Sequence, residues 1–415
     1  MGYQSPLRNQ QDQWVAKQTE LFADRVSRSE RPTNESGAES ARFELAYIPY
    51  GPDGASEDIC CEIVESFGPI EPEYAAMRRC CGLLDAAHRS VIVLTGADRL
   101  DFLDRMITQG VATLPPGRTT RSFWLNRKGR IVSDLLVANL PDRTLLEVDL
   151  HAAQATFESL DAFLFTEDAE MSLEIEAFSQ LRLYGPASLV VLDALLEEGS
   201  APEAGGVTEG KLGGVPLTML RVDEVGEPGV ALIFERASAE VVWSSLIEWE
   251  SETKQRVRPI GWSAYNAARI EGGTPLFNVD FGTDALPHES GLVESRVSFN
   301  KGCFLGQEIV ARLENLGHPK QRLRAITLDP ACMPVAGTQV FAALEGAAGE
   351  VHLGPQVGWI TSSTIAPMLG ASPIAFGMLK YDYSETEASL MIASDGETHG
   401  ASVREGFRFL PGASS

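Results

Sequence analysis

Long apolar runs are missing from this chain: in 415 residues no stretch approaches a membrane-crossing helix, which needs about 20 apolar residues. Basic charge is scarce. Lys and Arg total 34 against 58 Asp and Glu, a formal net charge of −24, which disfavours binding nucleic acid or an anionic membrane through a global field. Cysteine is sparse as well, with six in all: Cys60, Cys61, Cys80, Cys81, Cys303 and Cys332. Two adjacent pairs and two singles form no disulfide framework, and no secretory signal opens the chain, so a reducing cytoplasm is the expected setting. Cys-x-x-Cys spacing is absent, and adjacent side chains diverge on a helix or strand. The paired cysteines are therefore expected to be ordinary side chains rather than metal ligands.

What is present reads as globular. Apolar residues make up 44% and charged residues 22%, and this length predicts two or three domains. Residues 1–41 are polar, and the spacing of Trp14, Val15, Leu21, Phe22 and Val26 allows one amphipathic helix in an otherwise loose extension. Its acidic residues argue against a transit peptide, and Pro6 breaks a myristoylation pattern. From Phe43 onward ordered elements are expected: a helix over Tyr74–Asp85, a strand over Val91–Leu94, and a helix capped by Asp98 that carries Leu100, Phe102, Leu103 and Met106. A hairpin follows, turning through Asn126-Arg127-Lys128-Gly129. The strand Leu181–Tyr184, the turn Gly185-Pro186 and a helix over Leu189–Leu196 repeat the Val91–Met106 pattern, hinting at an internal α/β duplication. After Arg322, short strand-like runs alternate with Gly- and Pro-bearing turns, which predicts a small β-barrel or sandwich.

The densest chemistry is the run Asn300-Lys301-Gly302-Cys303-Phe304-Leu305-Gly306-Gln307-Glu308. Ile309, Val310 and Leu313 then recur at helical spacing, so Gly306-Gln307 is expected to open a helix. Cys303 would sit just outside that N-terminus, where unpaired N–H groups and a nearby Lys301 favour a thiolate. Gly302 and Gly306 permit φ > 0 or close backbone approach to a ligand. Two clusters of cations stand out in so acidic a chain. Arg118, Arg121, Arg127, Lys128 and Arg130 form one, and Lys301, Arg312, Lys320, Arg322 and Arg324 the other; they fit either solvated faces or an anionic ligand such as a glutamate tail.

The run Lys301–Glu308 resembles the Lys-Gly-Cys-(Tyr/Phe)-x-Gly-Gln-Glu signature of the YgfZ-type folate-binding proteins that support iron–sulfur protein maturation. Gly358-Trp359-Ile360-Thr361-Ser362 and Ile374-Ala375-Phe376-Gly377 resemble the final barrel of the wider glycine-cleavage T-protein superfamily. That resemblance implies an α+β, three-domain fold with two interleaved α/β domains and a C-terminal β-barrel. The corresponding boundaries are a polar extension with no requirement for order at 1–41, a folate-binding region at 42–320 and a barrel at 321–412. It also implies tetrahydrofolate as the cofactor and, as partners, iron–sulfur client or assembly proteins.

Three positions bear on which branch of the superfamily the chain follows. Ser133-Asp134 stands where aminomethyltransferases carry an Asp-Asp pair, leaving Asp134 as the candidate acid/base. Ala231, in Gly226-Glu227-Pro228-Gly229-Val230-Ala231-Leu232, stands where a Glu grips the pterin, a charged bond worth about 1.5–3 kcal/mol. Ala264-Tyr265-Asn266 replaces Ala-Arg-Asp, and Tyr265 offers either a stacking face for a flat heterocycle or a core ring. Arg269 and His288 lie in segments that line the opening in both branches. The resemblance therefore implies an accessory factor for iron–sulfur assembly or repair, with Cys303 as nucleophile or transient cluster ligand and no resident metal. Lys301, Gly302, Gly306, Gln307, Glu308, Tyr265 and Arg269 would then form the folate and loop site. The alternative is a folate-dependent aminomethyltransferase or demethylase acting through Asp134.

Overall fold

The computed structural model describes residues 4–27, 44–52, 61–345, 351–394 and 396–410; Cys60 and the whole of 28–43 lie outside them. The chain divides into two compact units interleaved in sequence. One comprises Met1–Ser90, Glu174–Asp223 and Glu227–Asn266, the other Val91–Leu173, Glu224–Gly226 and Ala267–Ser415.

The first unit contains a two-stranded ribbon of β1 (Ala46–Tyr50) and β2 (Cys61–Ser66). Its main sheet uses β3 (Cys81–Asp85), β9 (Phe178–Tyr184), β10 (Val207–Leu212), β11 (Val215–Arg221), β12 (Gly229–Glu235) and β13 (Val257–Ile260), in the order β10-β11-β12-β9-β3-β13. The helix expected over Tyr74–Asp85 ends early: it runs Ile70–Arg79, and Cys81–Asp85 is a strand. Tertiary burial overrides helical spacing here, because β3 lies between β9 and β13 with Leu83 and Leu84 buried. Gly82, a poor helix residue, also fits that crowded place: an added Cβ would lie 2.8 Å from Met77 Cγ.

The extension is not loose over its first described part. Arg8–Ser27 is a helix, and Leu7 and Val15 are buried in the first unit's core. Trp14 meets Phe67 edge-on at 5.6 Å. A buried carboxylate fixes the docking: Asp85 Oδ2 accepts from Ser5 Oγ at 2.5 Å and from Gln11 Nε2 at 2.7 Å. Asp85 is pushed up from the usual carboxylate range by burial, against which those two bonds work.

Glu73 gives this unit a pH dependence. Its carboxylate accepts the N–H of Phe67 and of Gly261, both at 2.7 Å, yet burial pushes its pKa up to about 7. A carboxyl raised above its unfolded value stabilises the fold fully below that unfolded value and loses the contribution as pH rises through the folded one. The stability advantage of the native protein over Glu73→Gln is therefore expected to be largest below about pH 4 and to shrink by about 3 kcal/mol by pH 8. Urea unfolding of both proteins across that range measures it, and a gap that does not change with pH would rule it out.

In the second unit β4 (Arg89–Thr95), β5 (Arg118–Leu125), β6 (Ile131–Asn139), β7 (Thr144–Asp149) and β8 (Glu170–Leu173) form a sheet in the order β5-β6-β7-β4-β8. The helix after β4 is Arg99–Met106, as the spacing predicts, but Asp98 does not cap it by its side chain. Asp98 Oδ2 instead accepts Asp168 N at 2.9 Å, stitching the turn to the segment before β8. The suspected duplication is visible in the topology. Strand, helix, three strands, helix and strand recur as β4 to β8 and as β9 to β13, with the helices Arg99–Met106 and Leu150–Asp161 in one copy and Ser188–Leu195 and Ala239–Ile247 in the other. The orders match except that β3 is intercalated between β9 and β13.

The same unit contains a closed barrel of β14 (Gln321–Leu328), β15 (Gln339–Glu345), β16 (Val351–Ala366), β17 (Ser372–Lys380), β18 (Ser389–Ser394) and β19 (Glu397–Val403). Its order is β14-β17-β16-β15-β18-β19, and β19 returns to β14 through Ile326↔Val403. Ile326, Val340, Val357, Ile360 and Leu379 fill its centre. Among the described residues no helix is long and apolar enough to cross a membrane.

Candidate functional site

The Cys303 loop lies in the second unit and ends where the sequence places its end. Gly306, at φ 81°, precedes the helix Gln307–Leu316. Its conformation and its surroundings both demand glycine: an added Cβ would lie 2.8 Å from Asn126 O and 3.0 Å from Gly129 Cα. Gly129, at φ 70°, is itself pressed against Ile309, whose Cβ an added one would approach to 2.8 Å. The loop end and the β5–β6 hairpin turn thus meet glycine to glycine. Asn126 Oδ1 holds that turn by accepting Lys128 N at 2.9 Å and Arg130 N at 3.2 Å. Gly302 differs. A Cβ there would meet nothing within 4 Å.

Lys301 anchors the other end of the loop. Its ammonium donates to the carbonyls of Asp104, Ile107 (2.9 Å) and Gln109 (3.0 Å), and lies 3.5 Å from Asp104 Oδ1. The Asp104 and Ile107 carbonyls lie in the last turn and C-cap of the helix Arg99–Met106, where a cation satisfies orphan acceptors and complements the helix dipole, and Gln109 follows just beyond it. Burial pushes the ammonium's pKa down, and Asp104 works against that. Burial opposes the ionisation of Asp104 too, but N–H bonds from Val111 and Ala112, with the Lys301 charge, hold its carboxyl below the usual range. Lys301 was expected to act on the thiol; its hydrogen bonds go instead to the 104–109 backbone. Thr108 adds a second tie, its Oγ1 donating to Arg296 O at 2.7 Å and its O accepting Ser298 N at 3.0 Å.

Between these anchors Cys303 is exposed. Gln307 shapes the loop, accepting Phe304 N on Oε1 at 3.2 Å. Glu308, expected to orient it, is exposed in the first helical turn, where a carboxylate complements the dipole.

Asp134 is buried on β6 and its Oδ1 accepts Arg296 Nε at 2.9 Å. Arg296 is pushed below the usual guanidinium range by burial, while Asp134 pulls it back. Arg121, paired with Glu224 at 2.9 Å, contributes to the same field. The serine beside Asp134 adds nothing to this cluster; Ser133 faces the other side of the strand.

Two expected ligand residues have structural work. Arg269 is fully buried and ion-paired with Asp280, with a further bond to Thr274 O at 3.1 Å. Asp280 also accepts Leu276 N at 2.8 Å, Thr361 Oγ1 at 3.0 Å and Ser362 Oγ at 2.5 Å, tying β16 to the segment after Arg269. In the first unit Tyr265 is fully buried, its ring stacked on Tyr184 at 5.5 Å and tilted against Trp262 at 5.5 Å. No face is left open for a heterocycle. Ala231 is buried in β12, opposite Arg182 of β9.

His288 Nε2 meets Glu314 Oε2 at 3.1 Å, beside a pocket of about 820 Å³ whose walls include Phe299, Asn300, Arg322 and Arg324. Among the described residues no group of three or more His, Cys, Asp or Glu side chains is arranged to hold a metal. Asp104, Thr108, Asp280 and Arg296 carry no local signal in the sequence, since each acts on a distant segment.

The GCVT N-terminal domain matches residues 37–301, and the glycine cleavage T-protein C-terminal barrel domain matches residues 321–407. The chain belongs to the glycine cleavage T-protein family. An aminomethyltransferase of Geobacillus sp. (strain WCH70) is 28% identical over 345 residues, covering 82% of this chain and 91% of the relative. One of Streptomyces avermitilis is 29% identical over 316 residues, covering 74% and 81%. The fold is that of the glycine cleavage system aminomethyltransferase T of Bartonella henselae, with a TM-score of 0.71 at 20% identity, over 91% of this chain and 97% of that one. For a folate the fit of the expected ligands is uneven. Tyr265 and Arg269 are enclosed and engaged, whereas the pocket beside His288 keeps two arginines on its wall.

Proposed function

We propose that this member of the T-protein family binds tetrahydrofolate and serves as an accessory protein in the assembly or repair of iron–sulfur proteins, with its chemistry at Cys303. The observation that carries this reading is an exposed thiol on a loop fixed at both ends, by Lys301 on the 104–109 backbone and by Gly306 on the 126–129 turn. Rigid support beneath an exposed reactive group is what a positioned nucleophile or transient ligand needs. A single thiolate does not hold a cluster, for which four ligands are the norm, so a client or assembly protein would supply the rest. Tetrahydrofolate, when bound, supplies nitrogen atoms able to carry a one-carbon unit.

The second reading is a folate-dependent aminomethyltransferase or demethylase, and the relatives' name supports it better than it supports the first. Asp134 would be its acid/base. Two features of this chain weigh against it: the Asp134 carboxylate is engaged by Arg296, and Ala231 brings no carboxylate to β12.

Complementation in a host deleted for its own maturation factor separates the two. Aconitase-type [4Fe–4S] activity is expected to recover with the native chain and to stay at the empty-host level with Cys303→Ala at matched expression. Equal rescue by both would remove the thiol from the chemistry. Turnover of a methylamine donor with tetrahydrofolate as acceptor, lost in Asp134→Asn, would instead establish the second reading.

A further inference from the structure

The pocket of about 820 Å³ in the second unit is of a size that holds small molecules. One wall is the start of β14, Arg322 to Ala325. Another is the 293–300 segment leading into the Cys303 loop, and Phe407 adds an aromatic surface. Arg322 and Arg324 are two positions apart on a strand, so both side chains leave the same face, and both line the pocket.

In a chain with 58 acidic and 34 basic residues, a guanidinium ordinarily finds a carboxylate. Among the described residues neither of these two makes an ion pair. Arg322 lies over the Tyr381 ring at 4.8 Å. Arg324 gives one terminal nitrogen to Thr386 Oγ1 at 3.1 Å and to Arg404 O at 2.9 Å, while its buried Nε has no hydrogen-bond partner among them. Burial, followed by the charge of Arg322, pushes Arg324 below its usual range, with Glu385 and Glu405 pulling the other way. Two like charges held together and partly stripped of water form an arrangement that an anion relieves. His288 contributes a buried Nδ1 that is also without a hydrogen-bond partner, its Nε2 being occupied by Glu314. Two carboxylates, Glu294 and Glu314, line the pocket too, Glu314 being engaged by His288, so pairing with an anion is confined to the arginine wall.

We propose that this pocket is a carboxylate-binding site whose ligand is a γ-linked glutamate chain, either the tail of a bound folate or the free oligomer. The shared chemistry is a row of carboxylates matched to paired guanidiniums, whose N–H groups donate to carboxylate oxygens in bidentate fashion. The tail assignment rests on the folate reading above; the carboxylate assignment stands without it.

Calorimetric titration tests both, using tetrahydrofolate with one glutamate, tetrahydrofolate with five, and penta-γ-glutamate alone. The native chain is expected to prefer the five-glutamate folate on the order of tenfold, with the preference fading as salt is raised. Arg322→Gln should abolish that preference and Arg322→Lys should retain part of it, with unfolding midpoints unchanged in both. Equal affinity for both folates in the native chain and in Arg322→Gln would overturn the proposal and leave folate binding intact. Penta-γ-glutamate binding that Arg322→Gln abolishes, without binding of either folate, would support the carboxylate site and sink the folate reading. Binding of none of the three would overturn both.

Discussion

Asp280→Ala is expected to destabilise the second unit by about 3–5 kcal/mol, because it strands a buried guanidinium. Arg269 and Asp280 have fully buried side chains, and the same carboxylate serves Leu276 N, Thr361 and Ser362. Four donors thus lose their common acceptor, and Arg269 keeps a charge far from water. Its guanidinium also lies 5.6 Å from the centroid of the Phe376 ring, a contact too weak to replace a carboxylate. Paired replacement by apolar residues, Arg269→Met with Asp280→Leu, should recover a large part of the loss, as buried ion pairs are often no better than apolar contacts of similar volume. Equilibrium urea unfolding of the three proteins decides it. A cost below about 1 kcal/mol for Asp280→Ala would show that water reaches the pair. The role that family resemblance offers Arg269, as part of a ligand opening, gives way here to a role in holding β16 in place.

Lys301→Met should cost about 2–4 kcal/mol, the scale of charge-assisted bonds lost at a half-buried site. The methionine fills much of the stem's volume but leaves the carbonyls of Asp104, Ile107 and Gln109 without their donor. Hydrogen exchange should quicken at the amides of Val111 and Ala112, which rest on Asp104 Oδ1, and along the 298–306 segment. An unchanged unfolding midpoint together with unchanged exchange at Val111, Ala112 and the 298–306 segment would show that the ammonium does not hold this end of the loop. The two predictions concern the same unit and do not share partners, so their effects should add.

Local backbone chemistry was legible in the sequence. Gly306 opening the helix at Gln307, the Asn126–Gly129 turn and the strand–glycine–helix units after β4 and β9 each depend on a few consecutive residues. Glycine's freedom at positive φ and helical or alternating periodicity suffice to place them. The short alternating runs after Arg322 announced the barrel for the same reason.

Partnership between distant segments was decided only by the tertiary structure. Asp134 and Arg296 are 162 positions apart, and Lys301 reaches carbonyls more than 190 positions away. Nothing in the vicinity of either residue encodes its partner, since a charge in sequence specifies only that some opposite charge or acceptor must meet it once it is buried. The intercalation of β3, which turned an expected helix end into a strand, and the docking of the leading helix on Asp85 are of the same kind. Exposure divides the same way: the sequence singled out Cys303 and Tyr265 alike, and only packing leaves the thiol in solvent and encloses the ring.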